Sequence, residues 1–449
     1  MRKLFLSVVI LAGFLFFTSE SFAQSAKGRS PNASDQNMMT GGLGMTWIDG
    51  QAYYLVNIAP ELAFGKFGVG LDLNLYVSSK DQSIRWAELQ RGRFIRYLRW
   101  GQKGDDVYAR VGVLDYAQLG HGSIMYLYKN SPSFDDRRLG AEFDLDFGKT
   151  GFETVYGDFT EPGVFGIRGY VRPLQYTTLA PVPIIGGLEV GATWAGDYRK
   201  DSRDTNVTRA LSFVGPEPPP QKENLGTMNI LGADLGLPLL RVPMVSSTLY
   251  FDYAKIVHFG SGEALGLQTD FSGLGIFNIF TKFERRWSGD HYIPDYFDVF
   301  YELERYQLNG TSFSSKAQTL SQLVSPGPGY FGDLTIAILG RLQIRGTYSK
   351  LDNDPKSGVL HLGASTGNML PVIVVDAGYD KKNIQNNKDV FTLDERSLLY
   401  ASVGYKPYPF MIVSMLYTWT FAPVTDSYGN TSYVTQKRVQ PKVSIVFPL

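Results

Sequence analysis

Cysteine is absent from this chain of 449 residues. Its absence excludes disulfide frameworks, thiolate zinc sites, cysteine nucleophiles and an acylated N-terminal cysteine. A charge excess of either sign is also absent, because 43 Lys and Arg stand against 43 Asp and Glu. This balance excludes a polybasic nucleic-acid binder and an acidic disordered tail as the main theme. After residue 23, no apolar run approaches the length of about 18 residues that indicates a transmembrane helix.

The start of the chain has the layout of an export signal. Arg2 and Lys3 form a short positive segment, an almost unbroken apolar run follows, and Ala23 ends a Ser-Phe-Ala cleavage site. This order predicts a signal peptide over residues 1–23, cleaved after about Ala23. The alternative is an N-terminal membrane anchor, but the apolar run is short for a helical span of about 20 residues. Residues 24–41 are small, polar and without period, which predicts a flexible lead-in.

The rest of the chain alternates apolar and polar residues with a period of two. Clear examples are residues 66–76, 139–147 and 411–421. Successive side chains of a strand point to opposite faces, so each segment predicts a strand with one apolar and one polar face. The 48 Gly and the aromatic content of 14% are typical of a chain with many strands and turns.

The predicted connections come in two lengths that alternate along the chain. Short, Gly- or Pro-containing connections occur near Gly65, Pro238 and Pro409, as tight hairpins require. Long polar connections occupy residues 79–91, 117–136, 199–225, 287–328, 351–358, 381–394 and 422–432. This alternation predicts a single all-β domain over residues 42–449, an up-and-down antiparallel meander of about 20 strands (range about 16–20). An even strand number places both termini at the same end.

Aromatic residues recur where the predicted strands end. They are Trp47, Tyr53, Tyr54, Phe64, Phe67, Trp100, Tyr108, Tyr170, Tyr405, Tyr408 and Phe410. They predict the two interfacial girdles of a lipid-embedded barrel; ordinary β-propensity of aromatics is the alternative. Because hydrocarbon offers no partner to backbone N–H or C=O groups, a sheet in lipid must close on itself. The apolar face then points outward, and the charged face lines the inside.

The export signal, the two-residue period, the alternating turns and the last segment, Val439–Leu449, resemble porin-type β-barrels of the Gram-negative outer membrane. The resemblance covers nearly the whole chain at the level of architecture and points to no subfamily. The chain ends in Leu449, where the family usually ends in Phe. The resemblance implies a transmembrane antiparallel up-and-down β-barrel in the bacterial outer membrane, with short turns and the lead-in on the periplasmic side and long loops outside.

The same resemblance implies several partners. They are outer-membrane lipid and lipopolysaccharide, the barrel-assembly machinery acting through the C-terminal strand, and small polar solutes. Assembly into a homo-oligomer is left open, and no nucleic acid is expected.

Charged residues on the polar faces are candidates for the pore lining. They are Lys66, Asp72, Arg110, Glu142, Asp144, Asp146, Asp252, Lys282, Glu284, Arg345 and Asp376. Their mixed signs predict weak charge selectivity, because strong ion selection needs rings of one sign.

The acidic run Glu142, Asp144 and Asp146 has two interpretations. It is either a ladder for cations or, as we favour, a structural set paired with Arg96, Arg99 or Arg110 on neighbouring strands.

Two long loops are candidates for controlling the lumen. Residues 84–89 of the loop 79–91 have a helical pattern and are candidates for constricting the pore. The longest loop, 287–328, is a candidate lid, plug or surface epitope.

The leading functional hypothesis is an outer-membrane channel for passive diffusion of small polar solutes or ions. One alternative is a plugged or ligand-specific transporter, or the barrel subunit of a secretion or adhesion assembly. A barrel hydrolase is a further alternative, with His121 near Asp115, or His291 near Asp290 and Asp295, as acid–base pairs. No nucleophile elbow, metalloprotease motif or phosphate loop is present. We therefore predict no enzyme, no catalytic residue, no cofactor and no metal site.

Overall fold

The fold is described from a computed structural model. The described residues are 38–48, 51–85, 94–131, 137–200, 202–203, 226–309, 312–324, 326–339, 342–366, 370–425 and 431–448. The predicted signal peptide and most of the predicted lead-in lie outside these residues. The first strand begins at Met38, four residues before the predicted start of the barrel.

The described residues form one large antiparallel sheet and one small internal hairpin. The strands of the sheet are β1 (Met38–Ile48), β2 (Gln51–Phe64), β3 (Phe67–Leu71), β4 (Leu73–Ser78), β5 (Ile84–Arg85), β6 (Ile95–Trp100), β7 (Val107–Gly112), β8 (Gly140–Asp146), β9 (Thr150–Tyr156), β10 (Val164–Val171), β11 (Glu189–Asp197), β12 (Met228–Val242), β13 (Val245–Ile256), β14 (Ser261–Leu274), β15 (Phe277–Ser288), β18 (Gly327–Ile338), β19 (Leu342–Leu351), β20 (Gly358–Ser365), β21 (Ile373–Ile384), β22 (Ser397–Tyr408), β23 (Met411–Thr425) and β24 (Thr431–Pro448). The hairpin is β16 (Tyr306–Asn309) with β17 (Ser312–Ser315).

The sheet is a closed barrel of 20 strands. Strands β3 and β4 both pair with β2, and β5 and β6 continue the next position, so each of these two pairs counts as one barrel strand. Each of the 20 barrel strands pairs with the barrel strands before and after it in the chain, and β24 pairs antiparallel with β1. At this seam Gly41 lies opposite Ile445, and Ile48 lies opposite Arg438. The predicted up-and-down barrel of about 20 strands is therefore confirmed.

The two faces of the barrel follow the two-residue period of the sequence. In β15, Lys282 and Glu284 point inward and are at most 2% exposed, whereas Phe283 between them is 55% exposed. In β12, Ile230 is buried and Leu231 is half exposed. An apolar exterior with a polar interior is the reverse of a soluble β-sandwich, whose apolar faces meet in a core. The outward apolar face is the one predicted for a sheet in lipid.

Tight turns gather at the end of the barrel that holds both termini. Gly65 and Gly275 adopt φ angles of +59° and +69° there, a conformation that glycine adopts without steric cost. The predicted turn at Pro238 is wrong, because β12 runs through it to Val242 with a β-bulge. A bulge accommodates a proline, which cannot donate to the sheet. Residues 172–188 form one long connection at this end, with short 3₁₀ turns.

The predicted helical pattern of residues 84–89 is wrong at its start. Ile84 and Arg85 form β5 and pair with Val77 and Tyr76, because they extend the ladder of β4. Residues 86–91 lie outside the described residues. The described helices are α1 (Tyr301–Glu304) and α2 (Lys316–Gln322). Neither they nor any other described helix is long and apolar enough to cross a membrane.

The predicted aromatic girdle is partly wrong. Trp47, Tyr54, Phe64, Phe67, Trp100, Tyr405, Tyr408 and Phe410 are 39–61% exposed on the outside. Tyr53, Tyr108 and Tyr170, in contrast, share the inward parity of their strands. Tyr108 is only 4% exposed and donates to Glu142 across 3.2 Å. A position near a strand end does not by itself determine whether an aromatic side chain points to lipid or to the lumen, because successive side chains point to opposite faces of the sheet.

The outward face predicts the cost of a charge placed on it. Phe283 lies midway along β15 and is 55% exposed. We expect Phe283→Arg to lower the free energy of unfolding in lipid vesicles by about 2–4 kcal/mol, because arginine at the bilayer midplane is costly. Phe283→Leu is the matched control and should stay near wild type in denaturant titrations. Equal stability of the two variants would contradict a lipid-facing position.

Candidate functional site

Two long connections from the loop end of the barrel fold back into its interior. We call residues 113–131 the first inner loop, and residues 289–309 with 312–324 the second inner loop. Leu114, Met125 and Tyr128 of the first loop are at most 1% exposed, as are Phe297 and Tyr301 of the second. They form one apolar cluster with inward side chains of β9 to β13. This half of the lumen therefore contains packed protein.

The two inner loops are joined through their backbones. Met125 and Phe297 form a parallel β-bridge. The Tyr126 amide donates to the Phe297 carbonyl at 3.2 Å, and the Phe297 amide donates to Ile124 at 3.1 Å. The Phe297 ring also contacts Tyr301 edge-on, with 4.7 Å between centroids. Backbone bonds and aromatic packing together make the loops a single unit.

Polar contacts fasten the first inner loop to the barrel wall. The Tyr126 hydroxyl donates to Asp333 of β18 and accepts from Arg345 of β19, whose guanidinium lies 2.6 Å from Asp333. Lys282 of β15 donates to the carbonyl of His121 at 2.6 Å. Hydrogen bonds that involve charged groups are the stronger kind, so these contacts fix the position of the loop in the lumen.

Ion pairs fasten the second inner loop. Arg305 lies 2.5 Å from Asp197 of β11. Glu302 accepts from Arg138 and, at 2.7 Å, from the Tyr128 hydroxyl of the first inner loop. Glu304 contacts Lys382 of β21 and, at 3.0 Å, Lys316 of α2. A buried charge is tolerated only with such partners.

The charge network shifts the pKa of two carboxyl groups of the second inner loop in opposite directions. Burial alone would raise the pKa of Glu304, but the attraction of Lys316 and Lys382 outweighs it and lowers the pKa to about 2. Burial raises the pKa of Asp298 to about 6, since Lys316 at 3.2 Å offsets only part of the desolvation. Each carboxyl group thus stabilises the docked loop over a different pH range.

The predicted pore-lining residues fall into two groups. Lys66 lies in the turn between β2 and β3 and is exposed, because β2 ends at Phe64; its placement on the wall is wrong. The other candidates have side chains on the inner side of the barrel, namely Asp72, Arg110, Glu142, Asp144, Asp146, Asp252, Lys282, Glu284, Arg345 and Asp376. Many of them contact inner loops or neighbouring strands rather than an open channel.

The acidic run of β8 is paired, but with partners other than the three predicted arginines. Lys103 lies 3.3 Å from Glu142 and 2.9 Å from Asp144, and Arg172 lies 2.9 Å from Asp146. Lys103 and Arg172 belong to connections at the tight-turn end, from which their long side chains reach the interior. Sequence alternation could not identify them, since it orders strand residues only.

A histidine and two aspartates form a polar group beneath the first inner loop. Ligand atoms of His121, Asp234 and Asp252 lie within 4.8 Å of one another, and the His121 ring stacks on Tyr250 at 4.1 Å. A divalent cation could use these donor types. Arg168, however, already binds both carboxylate oxygens of Asp234, at 2.9 and 2.6 Å, so a cation would compete with a bidentate ion pair.

The two histidines named for a hydrolase have other neighbours. The carboxylate facing His121 is that of Asp234, with 3.9 Å between Nε2 and Oδ1. The Nδ1 atom of His291 lies 3.3 Å from the carbonyl oxygen of Leu320. These contacts hold inner-loop residues in place and do not reproduce the acid–base pairs proposed from sequence.

No family model matches this chain, and no curated protein matches it. Among solved structures, it is similar to a mutant of the ferric enterobactin receptor PfeA of Pseudomonas aeruginosa, at 9% identity and a TM-score of 0.35, covering 92% of this chain and 81% of that one. It is also similar to OccK10 (OpdN) of the same organism, at 9% identity and a TM-score of 0.33, covering 92% and 99%. A third similar structure is CdiB from Acinetobacter baumannii, at 7% identity and a TM-score of 0.28, covering 93% of this chain and 61% of that one. Likenesses this distant carry no argument, and the barrel is established by its strand pairing.

The hydroxyl of Tyr126 should contribute measurably to docking of the first inner loop. Tyr126→Phe removes its bonds to Asp333 and Arg345, so we expect the local free energy of opening to fall by about 1–3 kcal/mol. Hydrogen exchange of the amides of the first inner loop measures this change. Tyr296→Phe is the control, because the buried Tyr296 hydroxyl has no hydrogen-bond partner among the described residues. A similar loss in both variants would contradict the assigned role.

Docking of the second inner loop should be strongest near pH 4 and should weaken both at lower pH and as pH rises from about 4 to 6. Glu304, with a lowered pKa of about 2, stabilises the fold above its unfolded value of about 4.3 and loses this effect as pH falls. Asp298, with a raised pKa of about 6, stabilises below its unfolded value of about 3.9 and loses this effect as pH rises through 6.

Hydrogen-exchange protection factors across pH 2–8 check both limbs of this profile. Glu304→Gln should remove the acid limb, and Asp298→Asn should remove the alkaline limb. A profile that neither variant changes would refute the assignment of these two groups.

Proposed function

We propose that the protein is an outer-membrane channel or transporter in which two inner loops restrict the route through the barrel. The observation that carries this proposal is the docking of both loops inside the wall, through the Met125–Phe297 bridge and the Arg305–Asp197 ion pair. A barrel of about 16 to 18 strands leaves an aqueous channel when nothing fills it. This barrel has 20 strands and is therefore wider. Residues of the two inner loops occupy part of its lumen.

The interior favours a restricted or ligand-specific route over a wide passive pore. Its charged groups are largely engaged with one another, as in Lys282 with Glu284 at 2.7 Å and Arg345 with Asp333 at 2.6 Å. Paired charges of both signs give a solute no strong field of one sign, so weak charge selectivity is expected. Small polar solutes remain the proposed cargo, and passage is expected to depend on rearrangement of the inner loops.

The membrane location and the partners form part of the same proposal. The apolar exterior suits outer-membrane lipid and lipopolysaccharide, and β24, which closes the barrel against β1, is the proposed segment read by the barrel-assembly machinery. Fractionation of cells that express the full chain tests the location. Recovery in the inner membrane or in the soluble fraction would contradict it.

Removal of an inner loop should widen the route. We expect a variant in which residues 292–322 are replaced by a short Gly-Ser linker to conduct at least several-fold more current in planar bilayers than wild type. The reason is that Phe297, Tyr301 and Leu320, all at most 1% exposed, leave the lumen with this segment. Uptake of uncharged sugars of graded size into liposomes measures the same change without an electric field.

A shorter Gly-Ser replacement on the outer rim provides the control. Residues 386–393 lie at the same end of the barrel, and Phe391 among them is 72% exposed, so this replacement should leave conductance unchanged. Heat-modifiable migration on a gel verifies that each barrel has closed. A wild-type conductance equal to that of the 292–322 replacement would refute restriction by the inner loops.

A further inference from the structure

A cleft of about 180 Å³ lies between the inner loops and the wall at the loop end of the barrel. Its wall side is formed mainly by inward residues of β15, β18, β19 and β20, and its loop side by residues of both inner loops. Strand β19 ends and β20 begins beside it, so the cleft lies near the mouth of the barrel. Its size is similar to that of an engineered apolar cavity of about 150 Å³ that binds benzene.

The lining of this cleft is apolar, unlike most of the inner face. Phe331, Leu351 and Val359 contribute from the wall, and Tyr292 and Leu323 contribute from the second inner loop. Elsewhere the same wall carries charged side chains. Covering apolar protein surface with an apolar ligand removes it from water, which is favourable. A cleft of aromatic and aliphatic groups therefore suits the apolar body of a ligand.

The charges that point into this region are already bound. Arg286 lies 2.5 Å from Glu284 and 2.7 Å from Asp295. His361 lies 2.5 Å from Asp380, and Asp298 is paired with Lys316. Lys350, which also borders the cleft, belongs to the outward parity of β19 and is exposed. A charged ligand would therefore lose its hydration without gaining a free counter-charge, which is costly.

One polar group in the cleft does lack a partner. Ser288 is 7% exposed, lines the cleft, and has a hydroxyl with no hydrogen-bond partner among the described residues. A buried polar group left unbonded destabilises the structure, and a ligand that bonds to it removes this cost. A hydroxyl both donates and accepts, so it suits a ligand hydroxyl. Thr347 and Ser349 border the same cleft.

We propose that this cleft binds an uncharged small molecule with a ring or short aliphatic body and at least one hydroxyl group. The body packs against Phe331, Leu351 and Val359, and the hydroxyl pairs with Ser288. Binding in the cleft stands on its own geometry. Only the step from bound ligand to transported solute rests on the proposed function.

The test uses the full chain in nanodiscs and three naphthalene probes of similar shape. 2-Naphthol is neutral at pH 7 and carries one hydroxyl, 2-naphthalenesulfonate is charged, and naphthalene carries no polar group. We expect saturable binding of 2-naphthol in calorimetry or by fluorescence. We expect the sulfonate to bind at least ten-fold more weakly and naphthalene about five-fold more weakly, the scale of one hydrogen bond.

Two variants locate the site. Partitioning of the probes into the nanodisc lipid is the same for every variant, so a difference between variants reports binding to the protein. Val359→Trp fills the cleft and should weaken binding of 2-naphthol at least ten-fold. Ser288→Ala is nearly isosteric and should reduce the affinity to that of naphthalene in wild type, about five-fold. Heat-modifiable migration on a gel verifies that each variant barrel has closed. If Val359→Trp fails to fold, the nearly isosteric Ser288→Ala variant still tests the site.

Several results would overturn the inference. Absence of saturable binding, or equal binding by wild type and Val359→Trp, would remove the site. A preference for the sulfonate would overturn the uncharged class, and unchanged affinity in Ser288→Ala would overturn the role of the hydroxyl. Binding by a protein that never conducts or transports would support the cleft while refuting the proposed function, so the two failures are distinguishable.

Discussion

The structure depends on one constraint, which is that every backbone N–H and C=O group of a sheet in lipid needs a partner inside the protein. An open edge would leave a row of such groups in hydrocarbon, at several kcal/mol each. The seam between β1 and β24 removes the last two edges, with pairs that run from Met38 and Pro448 to Ile48 and Arg438. An even number of strands, termini at one end and an apolar exterior all follow from that closure.

Closure also gives the barrel a polar inner face, and polar side chains of the inner loops form hydrogen bonds and ion pairs with it. Each contact between a loop and the wall couples distant parts of the chain, as in Tyr126 with Asp333 or Lys129 with Asp380. Beneath these contacts, the loops share an apolar cluster with small and aliphatic side chains of β9 to β13. The interior is thus a mixed core, in which apolar packing occupies one half of the wall and ion pairs occupy the rest.

The strand pattern was readable from the sequence because alternation is a local property. Phe283 between Lys282 and Glu284 assigns both faces of β15 without any tertiary information. The inner loops were not readable in the same way, since alternation does not tell whether a connection turns outward or inward. A signal was present nevertheless: Tyr292, Tyr296 and Phe297 are too apolar for a loop immersed in water. The cleft brings β15, β18, β19 and β20 together with two loops, and no local pattern predicts such a meeting.

The obstruction in this barrel is continuous with the wall at both of its ends. The first inner loop leaves β7 and the second leaves β15, so neither can depart from the barrel as a separate plug domain could. Such tethering keeps the local concentration of each loop near its docking surface high. After any displacement, return is a fast intramolecular event that needs no recapture from solution. Each inner loop therefore remains attached to the barrel wall at two points, and a displaced loop cannot diffuse away from its docking surface.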